Sequence, residues 1–347
     1  MSRILYSVII LLLAVTFLTS CSGKNNVNKD MTEVAGQVKP PVEISIGKET
    51  ELLLKDLEEN GDYVNSREYP SLIRASIVHD ELNGNNLVID LRSPQKYTAG
   101  HIRGAVSKRI EDLPGYFESG IKPFEYDKII LVCDDGQLSG YATSLLRLKG
   151  YGNVFAMRWG MSSWNKMYAD EGWLAGLSGR YESMLDTTTA SKPMAKGMPD
   201  LNTGLTTGSE VADARFEKVF DNGSENIFVT ADEVFKNPSG YFIINLDRKD
   251  KYEDGHIPGA VRYKPDATLS FTDEMATIPS DRTVVVYCGT GHNSAFATAF
   301  LRLMGYDART LKYGNNSFMY NRMEEKRNTL SWLPFDMSDI NNFETVK

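Results

Sequence analysis

Two kinds of run alternate along the chain. Short apolar stretches recur at "NLVIDL", "KIILVC", "YFIINL" and "TVVVYC", and their length and β-branched content predict buried strands. Between them lie stretches of helical character. "SGYATSLLRLKG" and "SAFATAFLRLMG" predict helices opened by Ser139 and Ser294, the second ended by Gly305. Thr230 and Glu233 form the sequence pattern of a capping box ahead of "ADEVFKN". Strands alternating with helices predict an α/β fold, each domain with a mostly parallel central sheet flanked by helices on both faces.

The pattern occurs twice. "LVIDLRSPQKYTAGHIRGAV" (87–106) and "FIINLDRKDKYEDGHIPGAV" (242–261) align without a gap. So do "CDDGQLSGYATSLLRLKGY" from Cys133 and "CGTGHNSAFATAFLRLMGY" from Cys288, at the same spacing. An internal repeat of this kind marks a duplicated domain. The repeats place domain 1 at 66–181 and domain 2 at 226–335. A connection at 182–225 joins them, too long for a simple hinge and therefore expected to pack in part against a domain.

The length of 347 residues suits two domains. A net charge of −8 with no basic stripe argues against nucleic acid as a partner. Four histidines, none in a C-x-x-C or H-E-x-x-H spacing, leave no expected metal site, and no cofactor is expected.

The first residues change the picture of where the protein works. Arg3 precedes the apolar "ILYSVIILLLAVTFL", and "LTSC" follows. This order is that of a signal peptide, and it is short for a membrane span. "LTSC" resembles a bacterial lipobox. The resemblance implies a lipoprotein signal peptide at 1–20, cleaved so that Cys21 receives the lipid. Acyl chains contribute about 0.8 kcal/mol per buried methylene, so several of them anchor stably. The expected location is the cell envelope, facing the periplasm or exterior, with the outer membrane favoured. The polar segment that follows, 21–65, is expected to be a flexible tether.

The other two cysteines, Cys133 and Cys288, both stand where a strand gives way to a helix. Backbone N–H groups converge in such a loop, and the helix N-terminus adds positive potential. That environment favours a thiolate, which is the nucleophile. The loops read Asp134, Asp135, Gly136, Gln137, Leu138, Ser139 and Gly289, Thr290, Gly291, His292, Asn293, Ser294. Gly136 and Gly291 let the backbone curl around the sulfur. The two aspartates oppose a thiolate at Cys133. The second loop is neutral, and His292 could lend it a hydrogen bond or partial charge. Cys288 is therefore expected to be the better nucleophile.

Asp90, Arg92, "GHIRGA", Cys133 and "GMSSW" in the first copy, with "GHIPGA" and "CGTGHNS" in the second, resemble the rhodanese (sulfurtransferase) family. The resemblance implies two tandem rhodanese-like domains and a sulfurtransferase of the thiosulfate type. In it a cysteine takes a sulfane sulfur from a thiosulfate- or persulfide-type donor, small molecule or protein. It passes that sulfur as a persulfide to a thiol or cyanide acceptor. Asp90 and Arg92 support the first site; Asn245 and Asp247 stand in their places in the second. His101 and His256 are expected to tie a turn to the sheet, and Arg147 and Arg302 to lie at the surface. Many active members carry arginine one and five residues after the cysteine, where this chain has Asp134 and Leu138, Gly289 and Asn293. Those gaps keep a second reading open, a non-catalytic binding or redox-sensing module. A phosphatase would need arginine at Ser139 or Ser294, six residues after the cysteine, and is set aside.

Overall fold

The computed structural model describes residues 44, 46–264 and 272–347. Domain 1 holds five parallel strands, β1 (Leu72–Ile73), β2 (Asn86–Asp90), β3 (Val106–Ser107), β4 (Lys128–Val132) and β5 (Val154–Met157), in the order β1-β5-β4-β2-β3. Domain 2 repeats the order with β6 (Phe228–Val229), β7 (Phe242–Asn245), β8 (Val261–Arg262), β9 (Val284–Tyr287) and β10 (Ala308–Leu311). The four strands read from the sequence are the central ones, β2, β4, β7 and β9. Their residues are buried on both faces, as parallel strands covered by helices require.

Alternate residues of each strand serve different cores. Leu87, Ile89, Ile129 and Leu131 in domain 1, with Ile244, Val284 and Val286 in domain 2, belong to one cluster that spans both domains. Val88, Ile130 and Val132 face a separate core with Met161 and Trp164. Ile243, Val285 and Tyr287 face another with Phe318 and Trp332. The period of two along a strand thus divides each sheet between a shared and a private core.

Four helices organise the shared core: α1 (Lys48–Glu59), α2 (Gln137–Leu148), α3 (Gly208–Asp221) and α4 (His292–Leu303). Helices α2 and α4 follow the two cysteine loops and pack against each other. Nearly every residue of both is buried. Small residues allow this approach: an added Cβ at Gly140 would lie 2.9 Å from the Phe296 ring, and Ser144 Oγ donates to Phe296 O at 3.0 Å. Both helices start two residues before the expected serine. Gly136 and Gly291 sit at the N-cap with φ of 85° and 76°, a left-handed turn that glycine adopts without strain. Ser139 and Ser294 are therefore inside the first turn and do not cap it.

Residues outside the two repeats also fold. The stretch to residue 65, expected as a tether, contains α1, whose Thr50, Leu53 and Leu57 form one buried stripe. Helix α1 packs on α3, which lies in the expected connection. Glu49 accepts hydrogen bonds from Thr203 N and Gly204 N at 2.6 and 2.8 Å. The stripe is brief and surrounded by charge, so it is inconspicuous in the sequence. Arg147, expected at the surface, is buried, donating to Val154 O at 2.7 Å and paired with Glu68. Beyond residue 335 the chain returns to domain 1, where Phe343 N donates to Trp164 O at 2.8 Å and Val346 exchanges two backbone bonds with His101. The apolar segment 1–20 and Cys21 lie outside the described residues. Among the described residues no helix is long and apolar enough to cross a membrane.

A core common to both domains should make them unfold together. Gly140→Val is expected to cost about 1–3 kcal/mol through overpacking against Phe296. It should lower the midpoint of a single denaturant transition monitored by tryptophan fluorescence. Two separate transitions in the wild-type chain, or an unchanged midpoint in the variant, would contradict the shared core.

Candidate active site

Register brings the site residues together. In domain 1 Asp90 pairs with Val132, so the end of β2 lies beside the loop that begins at Cys133. Arg92 folds back on Asp90 through Nε and Nη2, at 3.0 and 2.6 Å, and donates to Gly100 O at 2.7 Å. This buried fork fixes the turn after β2. His101 and His256 each place Nδ1 on a backbone oxygen four residues earlier, Tyr97 O at 3.0 Å and Tyr252 O at 2.7 Å, and each stacks on that tyrosine. They tie the turn to the preceding helix, not to the sheet, and neither approaches a cysteine loop by hydrogen bond.

The loops hold their sulfurs as the sequence suggests. Gly136 N and Ser139 N donate to Cys133 Sγ at 3.1 and 3.3 Å, and the Ser139 hydroxyl lies 3.4 Å away. At Cys288 the backbone N–H groups of Thr290 and Ser294 and the Ser294 hydroxyl favour the thiolate, while that hydroxyl donates to Gly291 O at 3.0 Å and lies 2.7 Å from Thr310 Oγ1. Ser139 thus bonds its sulfur directly, and Ser294 is tied to its own loop and to β10. Gly160 and Gly314 press the next strand-end against each loop. An added Cβ there would lie 2.3 Å from Cys133 O and 2.1 Å from Cys288 O. Gly314 is the second copy's counterpart of the glycine in "GMSSW".

Burial works against the thiolate in both places. It pushes the Cys133 thiol up to about 12, assisted by Asp135, whose Oδ1 is 3.6 Å from the sulfur. Burial likewise raises the Cys288 thiol, and the next contributor is Asp247. The second loop itself is neutral, but the residue in the place of Arg92 brings charge to it. Asp247, in the place of Arg92, turns its buried carboxylate toward the loop and accepts from Gly289 N at 2.9 Å and Asn315 Nδ2 at 3.0 Å. Asn245 Nδ2 adds a third donor at 3.2 Å. A charged neighbour therefore reaches Cys288 from the adjacent strand.

His292 is also elsewhere than expected. Its Nε2 accepts from Trp159 N of domain 1 at 3.2 Å, which leaves the proton on Nδ1, donating to Thr290 Oγ1 at 3.0 Å. Burial, with Arg158 adding to it, lowers its pKa to about 3. It is a neutral interface residue. Gln137, its counterpart, does the same in reverse, accepting from Tyr313 N at 2.7 Å and donating to Leu311 O at 3.2 Å. Each cysteine loop is thus pinned to the strand-end of the other domain.

That exchange decides what faces each sulfur. Cys288 opens into a cavity of about 370 Å³ lined by Arg74 and Arg158 of domain 1 together with Asp247, Lys251, Asn293 and Trp332. Cys133 opens into one of about 450 Å³ lined by Arg92, Arg109, Asp134, Asp135 and Leu138, with Lys312 of domain 2. Arg158 and Lys312 are counterparts, each donating its backbone N–H to the neighbouring short strand, at Ile73 O and Val229 O. Each cavity thus receives basic groups from across the domain boundary, Arg74 and Arg158 at Cys288 and Lys312 at Cys133, beside those of its own domain. Sequence reasoning passed over Arg74, Arg158, Lys251 and Lys312. A signal was present: "RWG" and "KYG" occupy equivalent places, each with a cation two residues before the loop-packing glycine. No cluster of metal-ligating side chains occurs among the described residues.

Known proteins resemble parts of this chain. The thiosulfate sulfurtransferase GlpE of Pseudoalteromonas translucida is 30% identical over 86 residues, 24% of this chain and 78% of its own length. A tRNA sulfurtransferase of Pyrobaculum aerophilum is 31% identical over 96 residues, 28% of this chain. That match spans only 19% of the tRNA sulfurtransferase. Among solved structures, the thiosulfate sulfurtransferase from Pseudomonas aeruginosa is 16% identical, with 75% of this chain and 46% of that one covered and a TM-score of 0.26. The rhodanese-like domain matches twice, at residues 75–167 and 230–320. These two stretches carry four of the five strands of each sheet and both cysteine loops, and the chain belongs to the rhodanese-like domain family.

Proposed function

We propose that this protein is a sulfurtransferase that carries a sulfane sulfur on Cys288. The observation that carries the reading is a cysteine in a strand-to-helix loop, its thiolate favoured by the backbone N–H groups of Thr290 and Ser294, that lines a cavity together with basic side chains. The Cys288 thiolate attacks the outer sulfur of a thiosulfate- or persulfide-type donor. The donor's S–S bond breaks and its electron pair leaves with the departing group, sulfite in the case of thiosulfate. The product is Cys–S–S⁻, whose charge the N–H donors of Thr290 and Ser294 stabilise. A thiol or cyanide acceptor then attacks the terminal sulfur and releases the Cys288 thiolate. No external oxidant is consumed.

Cys133 is the weaker candidate. Its carboxylate neighbours are nearer, and the cations of its cavity are already engaged: Arg92 with Asp90, Arg109 with Glu111, and Lys312 at 3.9 Å from Asp135. We also propose that Cys21 is lipidated and anchors the protein in the cell envelope, supported by the charged, apolar and "LTSC" order of the first residues.

Cys288→Ser should lower kcat/KM for sulfur transfer by about three orders of magnitude or more, while Cys133→Ser leaves most of it. Equal losses in a thiosulfate–cyanide assay, or a larger loss at Cys133, would reverse the assignment.

The pH dependence follows from the raised Cys288 thiol. The thiolate fraction at neutral pH is below that of an ordinary cysteine. The rate of iodoacetamide alkylation at Cys288 should therefore keep climbing as pH rises past the usual cysteine range. Removing the negative neighbour in Asp247→Asn should shift this profile downward and speed alkylation at pH 7.5 roughly three- to tenfold. His292 should add no limb between pH 5 and 8, because it is already neutral there. A slower variant, or an imidazole limb lost in His292→Gln, would refute this electrostatic account.

Metabolic labelling with a fatty acid tests the anchor. Label should be incorporated in the wild type and lost in Cys21→Ala; label retained in the variant would exclude the site.

A further inference from the structure

We propose that Arg158 and Arg74 of domain 1, with Lys251 of domain 2, form the site that holds the anionic end of the sulfur donor at Cys288. This rests on the reading of Cys288 as the sulfur carrier and adds which residues select the donor. The donor class is a small sulfur donor with an anionic end: a sulfonate, as in thiosulfate, whose S–S bond breaks as sulfite leaves, or a carboxylate, as in mercaptopyruvate, whose C–S bond breaks as pyruvate leaves as its enolate.

Four observations converge. All three cations line the one cavity that contains Cys288. Among the described residues neither arginine makes an ion pair, whereas Arg92, Arg109 and Lys312 in the Cys133 cavity all have carboxylate neighbours. Arg158 is partly buried, and its guanidinium is disfavoured by desolvation and by Arg74 nearby; the charge of Asp339 offsets this in part, without ion-pair contact. A bound anion would relieve that repulsion. Lys251 reaches the cavity across the Trp332 ring, 4.3 Å from its centroid, and donates to Ser331 O at 3.2 Å.

The fourth observation is Asp247. A carboxylate beside the thiol repels an anionic donor, so a donor of that class needs opposing charge on the far wall. The catalytic loop supplies none, since Gly289 and Asn293 stand where arginines are missing. Arg158 is the cation best placed to supply it, because its backbone is fixed by the Ile73 bond and by the Trp159–His292 contact one residue on. A guanidinium presents a planar fork to an oxyanion, which a lysine does not. The donor site is therefore shared between domains, and neither repeat contains it alone.

The test separates this inference from the function beneath it. In the full-length protein, alkylation of Cys288 by anionic iodoacetate and by neutral iodoacetamide is followed by mass spectrometry of the Cys288 peptide. Arg158→Gln should lower the iodoacetate-to-iodoacetamide rate ratio roughly three- to tenfold at low salt, with Arg158→Lys recovering part of it. Raising the salt should bring the wild-type ratio toward that of Arg158→Gln. Lys312→Gln, which alters the other cavity, should leave the ratio unchanged. With thiosulfate and with mercaptopyruvate, Arg158→Gln should raise KM more than it lowers kcat. The larger effect on thiosulfate would identify a sulfonate-type donor, and on mercaptopyruvate a carboxylate-type one. An unchanged alkylation ratio in Arg158→Gln, with the fold intact by circular dichroism, overturns the inference, as does an equal drop in Lys312→Gln. If the wild type forms no persulfide with any donor, the sulfurtransferase reading fails, while the alkylation ratio still decides the cation site.

Discussion

The contact on which the rest depends is the packing of α2 against α4. Both helices begin at a cysteine loop, so bringing them together brings the loops together with the strand-ends of the opposite domain. The approach is possible because Gly140 offers no side chain to the Phe296 ring and Ser144 satisfies its hydroxyl on Phe296 O. Close packing of this kind leaves little freedom to slide, since cores are as dense as organic crystals. The positions of Gln137 and His292 follow from it. Both are fully buried polar side chains, and both are satisfied by backbone groups of the other domain.

This arrangement turns a duplicated fold into unequal halves. The same exchange delivers Arg158 to one cavity and Lys312 to the other. Lys312 meets Asp135, while Arg158 meets no carboxylate at ion-pair distance among the described residues. One substitution pattern thus leaves a cavity whose cations are engaged and another whose cations are open. Burial raises both thiols, but only the second shares its cavity with arginines that make no ion pair among the described residues.

Charge near Cys288 is balanced at short range. Asp247 disfavours the thiolate, yet its carboxylate also accepts from Gly289 N and so holds the loop in shape. Burial raises the Asp247 carboxyl above its ordinary range, and Lys251 with the three donors Asn315, Gly289 and Asn245 offsets only part of that. The positive groups that line the same cavity are Arg74 and Arg158 of domain 1 and Lys251 of domain 2. Donor attraction and loop shape are therefore assigned to different groups.

By itself the sequence determined the duplication, the parallel α/β class, the central strands and the two cysteine loops with their glycines. These are local signals: apolar runs, glycine at a left-handed turn, and identical spacing in two copies. It misplaced the start of α2 and α4, because the left-handed glycines Gly136 and Gly291 cap them and the serines lie inside the first turn, Ser139 against its sulfur and Ser294 on Gly291 O and Thr310 Oγ1. It missed α1, whose stripe of Thr50, Leu53 and Leu57 is too short to stand out among charges. It gave His292 to its own loop and weighed the charge at Cys288 from that loop alone, because neighbours in sequence were the only neighbours visible. Tertiary structure alone decided that Asp247 approaches from β7, that His292 is spent at the interface, and that Arg158 and Arg74 cross to Cys288. The physical reason is that electrostatics acts through space, and packing of the two halves sets which charges are close.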